Sequence, residues 1–152
     1  MALFGTDGIR GIFGKDLGCD TAFKLGGALT EISEVEAPII VTGSDTRESG
    51  SELLSALVEG IIDKGGNPVN IGILPTAAVA YFTRVTGAQF GVMVSASHNP
   101  PEYNGLKVFD KTGVKLCRTK EKELERIINR EEVYVRCLLY TSPSPRDRQK
   151  SR

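Results

Sequence analysis

From Pro38 onward, apolar runs and helical spacings alternate along the chain. Ile39-Ile40-Val41 is a short β-branched run ending at Thr42-Gly43, which reads as a strand. Ser49 or Ser51 can cap a helix whose apolar positions Leu53, Leu54, Leu57, Val58, Ile61 and Ile62 recur at helical spacing, and Gly65-Gly66 stops it. Pro68 to Ile73 reads as a second strand. Thr76 to Thr86 reads as a second helix, capped by Thr76, with Val79, Ala80 and Phe82 inward. Phe90 to Val94 is an unbroken apolar run and a third strand.

Strand, helix, strand, helix, strand predicts an α/β fold with a mixed, largely parallel sheet and helices on both faces. Right-handed crossovers would gather the loops 43–50, 74–76 and 95–104 at one sheet edge. The first 36 residues differ. Gly5-Thr6-Asp7-Gly8-Ile9-Arg10-Gly11 packs three glycines around an aspartate and an arginine and reads as a tight N-terminal turn. A helix follows from Asp20 or Thr21 to Ile32, carrying Phe23, Leu25 and Leu29. Later, Asn104-Gly105 is a turn signal and Leu106–Phe109 a fourth strand. Lys111-Thr112-Gly113 closes that strand, and Thr119 to Asn129 forms a charged helix with Leu124, Ile127 and Ile128 on one face.

The last sixteen residues, 137–152, have neither period, and Arg148-Gln149-Lys150-Ser151-Arg152 is basic and featureless. They are expected to be a disordered or non-native tail, and the string resembles translated sequencing adapter. The whole chain of 152 residues balances 19 basic against 19 acidic side chains. The tail carries four basic and one acidic residue; without it the balance is 15 to 18, a net charge of −3. Neither figure suits nucleic acid or an anionic membrane as partner. No run approaches a membrane span, and the N-terminus lacks the layout of a signal peptide. Cys19, Cys117 and Cys137 are odd in number and lack metal spacing, so free thiols and a cytoplasmic location are expected.

Candidate chemistry concentrates in Ser95-Ala96-Ser97-His98-Asn99-Pro100-Pro101. The third strand leads into it, and the Pro-Pro pair forbids a helix immediately after. Ser97 therefore lies at a strand's carboxyl end, where open α/β sheets place ligand chemistry. A hydroxyl nucleophile needs a base or electrophile. His98 is adjacent in sequence, which defines no triad, and the Gly-x-Ser-x-Gly elbow of a hydrolase is absent. A polar loop bonded to its own backbone remains the alternative. Gly5–Gly11 could cradle an anion, with Arg10 as a charged fork, or be only a turn. Lys107 taken alone is an ordinary strand lysine, and the Gly43–Gly50 loop reads as structural.

Four segments then occur in order: Phe4-Gly5-Thr6-Asp7-Gly8-Ile9-Arg10-Gly11, Asp45-Thr46-Arg47-x-Ser49-Gly50, Ser95-Ala96-Ser97-His98-Asn99-Pro100 and Asn104-Gly105-Leu106-Lys107. Over residues 3–136 the chain resembles the α-D-phosphohexomutase superfamily, and its opening motif is most similar to the bacterial phosphoglucosamine mutase branch. The resemblance implies a domain I fold over residues 1–136 and a phosphoserine at Ser97. It implies intramolecular phosphoryl transfer between glucosamine 6-phosphate and glucosamine 1-phosphate through a bisphosphate. Arg10 and Lys107 would contact the phosphoserine, Lys107 moving a proton, while Thr6, His98 and Asn99 shape the phosphate loop. Mg²⁺ would be held through the phosphate on Ser97, and a hexose 1,6-bisphosphate would prime the serine. Ser44 departs from the superfamily pattern where a basic residue is usual before Asp-Thr-Arg, and Ala77 where Pro-Thr-Pro is usual. The metal, sugar-recognition and terminal phosphate-binding domains are not in this sequence, so the chain alone is expected to be inactive. A phosphomannomutase/phosphoglucomutase is the same-class alternative, a non-catalytic α/β binding domain the different-class one, and a serine hydrolase a distant third.

Overall fold

The computed structural model describes residues 3–130. The tail expected at 137–152 lies outside them, as does Cys137. In chain order the elements are β1 (Ile9–Ile12), α1 (Cys19–Glu31), β2 (Ile39–Ser44), α2 (Gly50–Asp63), β3 (Asn67–Ile73), α3 (Thr76–Val85), β4 (Phe90–Val94), β5 (Tyr103–Asp110) and α4 (Arg118–Ile128). They form one mixed five-stranded sheet in the order β1-β5-β4-β2-β3. β3, β2 and β4 are parallel, whereas β5 is antiparallel to both β4 and β1. The expected α/β class and two-sided sheet are present.

Alternation along the strands assigns the two faces. Ile9, Ile40, Val92, Val94, Leu106 and Val108 join the main core with Leu25, Leu29, Leu57, Ile61 and Leu124, so α1, α2 and α4 cover that face. Val41 and Met93 meet Val79 and Ala88 in a smaller cluster beneath α3. That second face is only partly covered, which leaves room beside α3 at the carboxyl edge.

Several elements depart from expectation. The Gly5–Gly11 segment is no mere turn, because its second half is β1, pairing Ile9 with Leu106 and Arg10 with Gly105. Asn104-Gly105 accordingly sits inside β5. Asn104 is buried, and its side-chain amide donates to the Ser49 hydroxyl across 2.9 Å; a partner distant in sequence outweighs the local turn preference. Ser49 occupies the cap position of α2 without a side-chain capping bond, and Pro75 rather than Thr76 caps α3. On α3, Thr83 takes the inner place expected of Phe82, which is exposed. Gly91 of β4 permits this: a Cβ there would come within 2.0 Å of Thr83 Oγ1. β3 is an exposed edge strand despite its apolar run.

α1 and α2 pack backbone to backbone. A Cβ on Gly60 would lie 1.9 Å from the Phe23 carbonyl oxygen, and one on Gly26 would lie 2.2 Å from that of Leu57. No helix of the described residues is long and apolar enough to cross a membrane. Gly60→Ala forces the two helices apart and should cost about 2–3 kcal/mol of stability, read as a lowered urea midpoint with unchanged m-value.

Candidate phosphoryl-transfer site

The three parallel strands deliver their following loops to one edge, as expected. The Ser97 loop leaves β4 there and returns as β5. Its frame is a chain of side-chain bonds beginning at Asp45. The Asp45 carboxylate accepts from the Ser95 hydroxyl at 2.6 Å and from Arg47 Nε at 3.1 Å. The Ser95 hydroxyl in turn accepts the Ser97 backbone N–H at 3.0 Å. Arg47 then spends its remaining donors on the loop. Nη1 reaches the carbonyls of Pro100 (2.7 Å) and Tyr103 (2.9 Å), and Nη2 those of Ser97 (2.9 Å) and Asn99 (2.8 Å). A guanidinium has five N–H donors, and all are used. The structural role expected of this loop is real, and its object is the Ser97 segment fifty residues later.

The clamp holds Ser97 in an unusual backbone state. Its φ is +58°, the left-handed region that costs a non-glycine residue about 1–2 kcal/mol. Ser97 and His98 are exposed and Asn99 is half-buried. The Ser97 hydroxyl has no hydrogen-bond partner among the described residues. It is presented outward from a fixed backbone. Among the described residues no hydrogen bond joins His98 to it, and the Asn99 carbonyl is one of the four that Arg47 holds.

The cations approach from the neighbouring strands on the α3 face. Lys107 pairs with Met93, so its side chain shares Met93's face. Arg10 lies opposite Gly105, whose carbonyl accepts the Ser95 N–H at 2.9 Å. A Cβ at Gly105 would lie 3.1 Å from Arg10 Cγ, so the bare glycine lets the arginine stem cross β5. Gly8 adopts φ +91°, and a Cβ there would lie 2.3 Å from the Leu106 carbonyl oxygen. Only glycine lets this segment press onto β5 and bring Asp7 to the lysine. Thr6 is exposed, and its carbonyl, not its hydroxyl, is engaged, by Lys115.

Asp7 joins the two expected cations. Its Oδ2 lies 2.6 Å from Arg10 Nη2 and 2.8 Å from Lys107 Nζ. The Lys107 hydrogen bond holds its carboxyl below the ordinary value of 3.8; partial burial opposes this, and the charges of Lys107, Arg10 and Lys115 add to it. Neither Asp7 nor the Arg47 clamp stands out in the sequence as a site feature. Asp7 sits visibly in the glycine motif, but only the β1–β5 pairing reveals its partner Lys107. The Asp45-x-Arg47 spacing predicts their mutual ion pair without naming the carbonyls it serves.

Among the described residues no group of three or more His, Cys, Asp and Glu is placed to hold a metal. Asp45 and Asp7, the carboxylates engaged here, are spent on cations and a hydroxyl. An oxygen-rich shell of the kind Mg²⁺ requires is not formed by these residues. Cys19 and Cys117 are free thiols.

Fold and site together define a mixed α/β/α domain with a strained serine after β4 and two cations on the adjoining strands β5 and β1. Residues 1–135 match the phosphoglucomutase/phosphomannomutase family, α/β/α domain I. The chain is 51% identical over 128 residues to a phosphoglucosamine mutase of Clostridium acetobutylicum, covering 83% of this chain and 29% of that protein. It is 48% identical over 137 residues to the phosphoglucosamine mutase of Clostridium tetani, covering 89% and 31%. Among solved structures, a phosphoglucomutase/phosphomannomutase family protein from Burkholderia thailandensis superposes with a TM-score of 0.70 at 31% identity, covering 84% of this chain and 30% of that one. The chain belongs to the phosphoglucomutase/phosphomannomutase family. It spans under a third of the length of the relatives it matches.

Two expectations follow from the geometry. Arg47→Lys keeps the charge but cannot reach four carbonyls and a carboxylate together. It should cost about 2–4 kcal/mol in urea melts and speed amide exchange across residues 95–103. Because the Asp7 carboxyl is depressed, its ion pairs contribute above about pH 4 and are lost as pH falls through the folded value. The Asp7 side-chain carboxyl should titrate by NMR with a midpoint below 3.8.

Proposed function

We propose that residues 1–136 form the phosphoserine-bearing domain of a phosphohexomutase, with Ser97 as the phosphoryl carrier. The observation that carries this is the Ser97 loop itself: an exposed, unpartnered hydroxyl on a left-handed backbone, clamped by Arg47. Phosphoryl transfer asks for positioning and charge neutralisation more than covalent chemistry. In the forward step the Ser97 Oγ–P bond breaks and a bond from phosphorus to a sugar hydroxyl oxygen forms. The hydroxyl proton ends on Ser97 Oγ, with Lys107 as its carrier. The resulting bisphosphate turns over, and Ser97 takes back the other phosphoryl group. Arg10 and Lys107 would bear the cationic contacts, while Thr6, His98 and Asn99 line the loop.

The relatives at 51% and 48% identity are named phosphoglucosamine mutases, which favours glucosamine 6-phosphate and glucosamine 1-phosphate as the sugar pair. Mg²⁺ would take a phosphoryl oxygen on Ser97 as one ligand and draw the rest from outside the described residues; it supplies charge neutralisation when bound. A hexose 1,6-bisphosphate would load the serine. The free thiols of Cys19 and Cys117 support a cytoplasmic setting.

The test joins this chain to the remaining length of the Clostridium acetobutylicum relative and incubates it with a hexose 1,6-bisphosphate. Intact mass and peptide mapping should find one phosphoryl group on Ser97, and its persistent absence would overturn the reading. Arg10→Met and Lys107→Met should each lower turnover about a hundredfold. The 152-residue chain alone should show no measurable turnover.

A further inference from the structure

Three positive side chains gather around one carboxylate where β1 meets β5. Asp7 Oδ2 bonds both Arg10 and Lys107. Lys115 adds a third positive field to the same carboxylate. A cavity of about 90 Å³ lies alongside, lined by Asp7, Thr76, Lys107 and Lys115. Lys115 is also held by the Glu121 carboxylate and the Thr6 carbonyl, whereas Arg10 and Lys107 are not saturated. Arg10 uses only Nη2, and its Nε is buried without a partner. The Asp7 side chain, by contrast, is 47% exposed, against 26% for Arg10 and 17% for Lys107. The carboxylate is thus the outermost member of the cluster, and another anion arriving from solvent meets it first.

We propose that Asp7 is a resident counter-anion, whose carboxylate occupies Arg10 and Lys107 and competes with phosphate groups for them. This rests on the reading of Arg10 and Lys107 as phosphate contacts. Two neighbouring cations repel each other, and a carboxylate between them holds both in place at low cost. An entering phosphate bears more charge and more acceptor oxygens, so it takes the same donors and leaves Asp7 to solvent. When the phosphate leaves, Asp7 returns. Phosphate is therefore bound against a competitor tethered to β1, and its hold is weaker than Arg10 and Lys107 would give without it. For a reaction that must release and rebind a bisphosphate, looser ground-state binding favours turnover. Asp7 is in this sense a positioning residue that tunes affinity.

The competition gives a sign that a merely structural role would not. Inorganic phosphate is titrated into the 152-residue chain and its Asp7→Asn variant at fixed pH and ionic strength, followed by backbone amide shifts. Removing the competitor should tighten phosphate about threefold to tenfold, the worth of one charge at a partly exposed site, whereas Asp7→Glu should stay near the parent. Unchanged or weaker binding in Asp7→Asn overturns the proposal, as does binding to neither protein. Should Asp7→Asn fail to fold, Asp7→Ser is read by the same criterion. Adding Arg10→Met to Asp7→Asn should abolish the gain; a gain that survives would place the phosphate elsewhere and overturn it too. Repeating the titration with Ser97→Ala keeps the two readings apart, because competition for cations does not need the hydroxyl. Failure of Ser97 to accept a phosphoryl group would leave this result standing, and the converse holds.

Discussion

The guanidinium of Arg47, with five donors on one carboxylate and four loop carbonyls, is the contact on which the rest of the site depends. Desolvating an arginine is expensive unless every donor finds an acceptor, and here each does. The planar fork turns a proline-flanked loop into a fixed object by bonding its carbonyls from within. Ser97 can then be kept at φ +58°, a state the free chain would relax. The strain sits on a residue whose hydroxyl has no hydrogen-bond partner among the described residues. It is sustained by bonds made at Ser97, Asn99, Pro100 and Tyr103, so the loop's cost is distributed over its neighbours.

The sheet supplies the second requirement, which is charge at the right edge. β5 turns back antiparallel beside β4, and β1 pairs on its outer side. Lys107 and Arg10 thus come from two adjacent strands onto one face. Neither could reach it from the parallel half, whose side chains there are spent on the cluster beneath α3. The glycines at 8 and 105 work at the same seam by removing side chains where backbone and arginine stem must pass.

Much of this was legible in the chain. Unbroken apolar runs mark β2 and β4, and helical spacings mark α2 and α4, because each buries a continuous apolar set. The Ser97 loop was legible because an apolar strand ends abruptly in hydroxyls and prolines. What stayed hidden depended on pairing. β1 lacks a strand's apolar alternation beyond Ile9 and Ile12, and only β5 makes it one. Asn104-Gly105 carries a turn's local chemistry, yet burial against Ser49 and pairing with β1 override it. Helical spacing points Phe82 inward on α3, but it cannot tell that Gly91 opens space for Thr83 there. Asp7 was visible as a residue and invisible as a partner, since Lys107 is a hundred positions away.

These features divide the work between something rigid and something soft. A phosphoryl carrier must present its oxygen at one place in both halves of a reversible transfer, and error there is paid in rate. The Arg47 clamp meets that need with bonds that no ligand disturbs, because all its donors are already committed. The cations face the opposite demand. On the proposed reading they must hold a phosphate, release it and hold another, so their bonds have to be exchangeable. A half-exposed carboxylate is suited to that exchange, while a buried one would not be. Arg10 and Arg47 carry the same functional group, and what separates their roles is how many donors each leaves unspent.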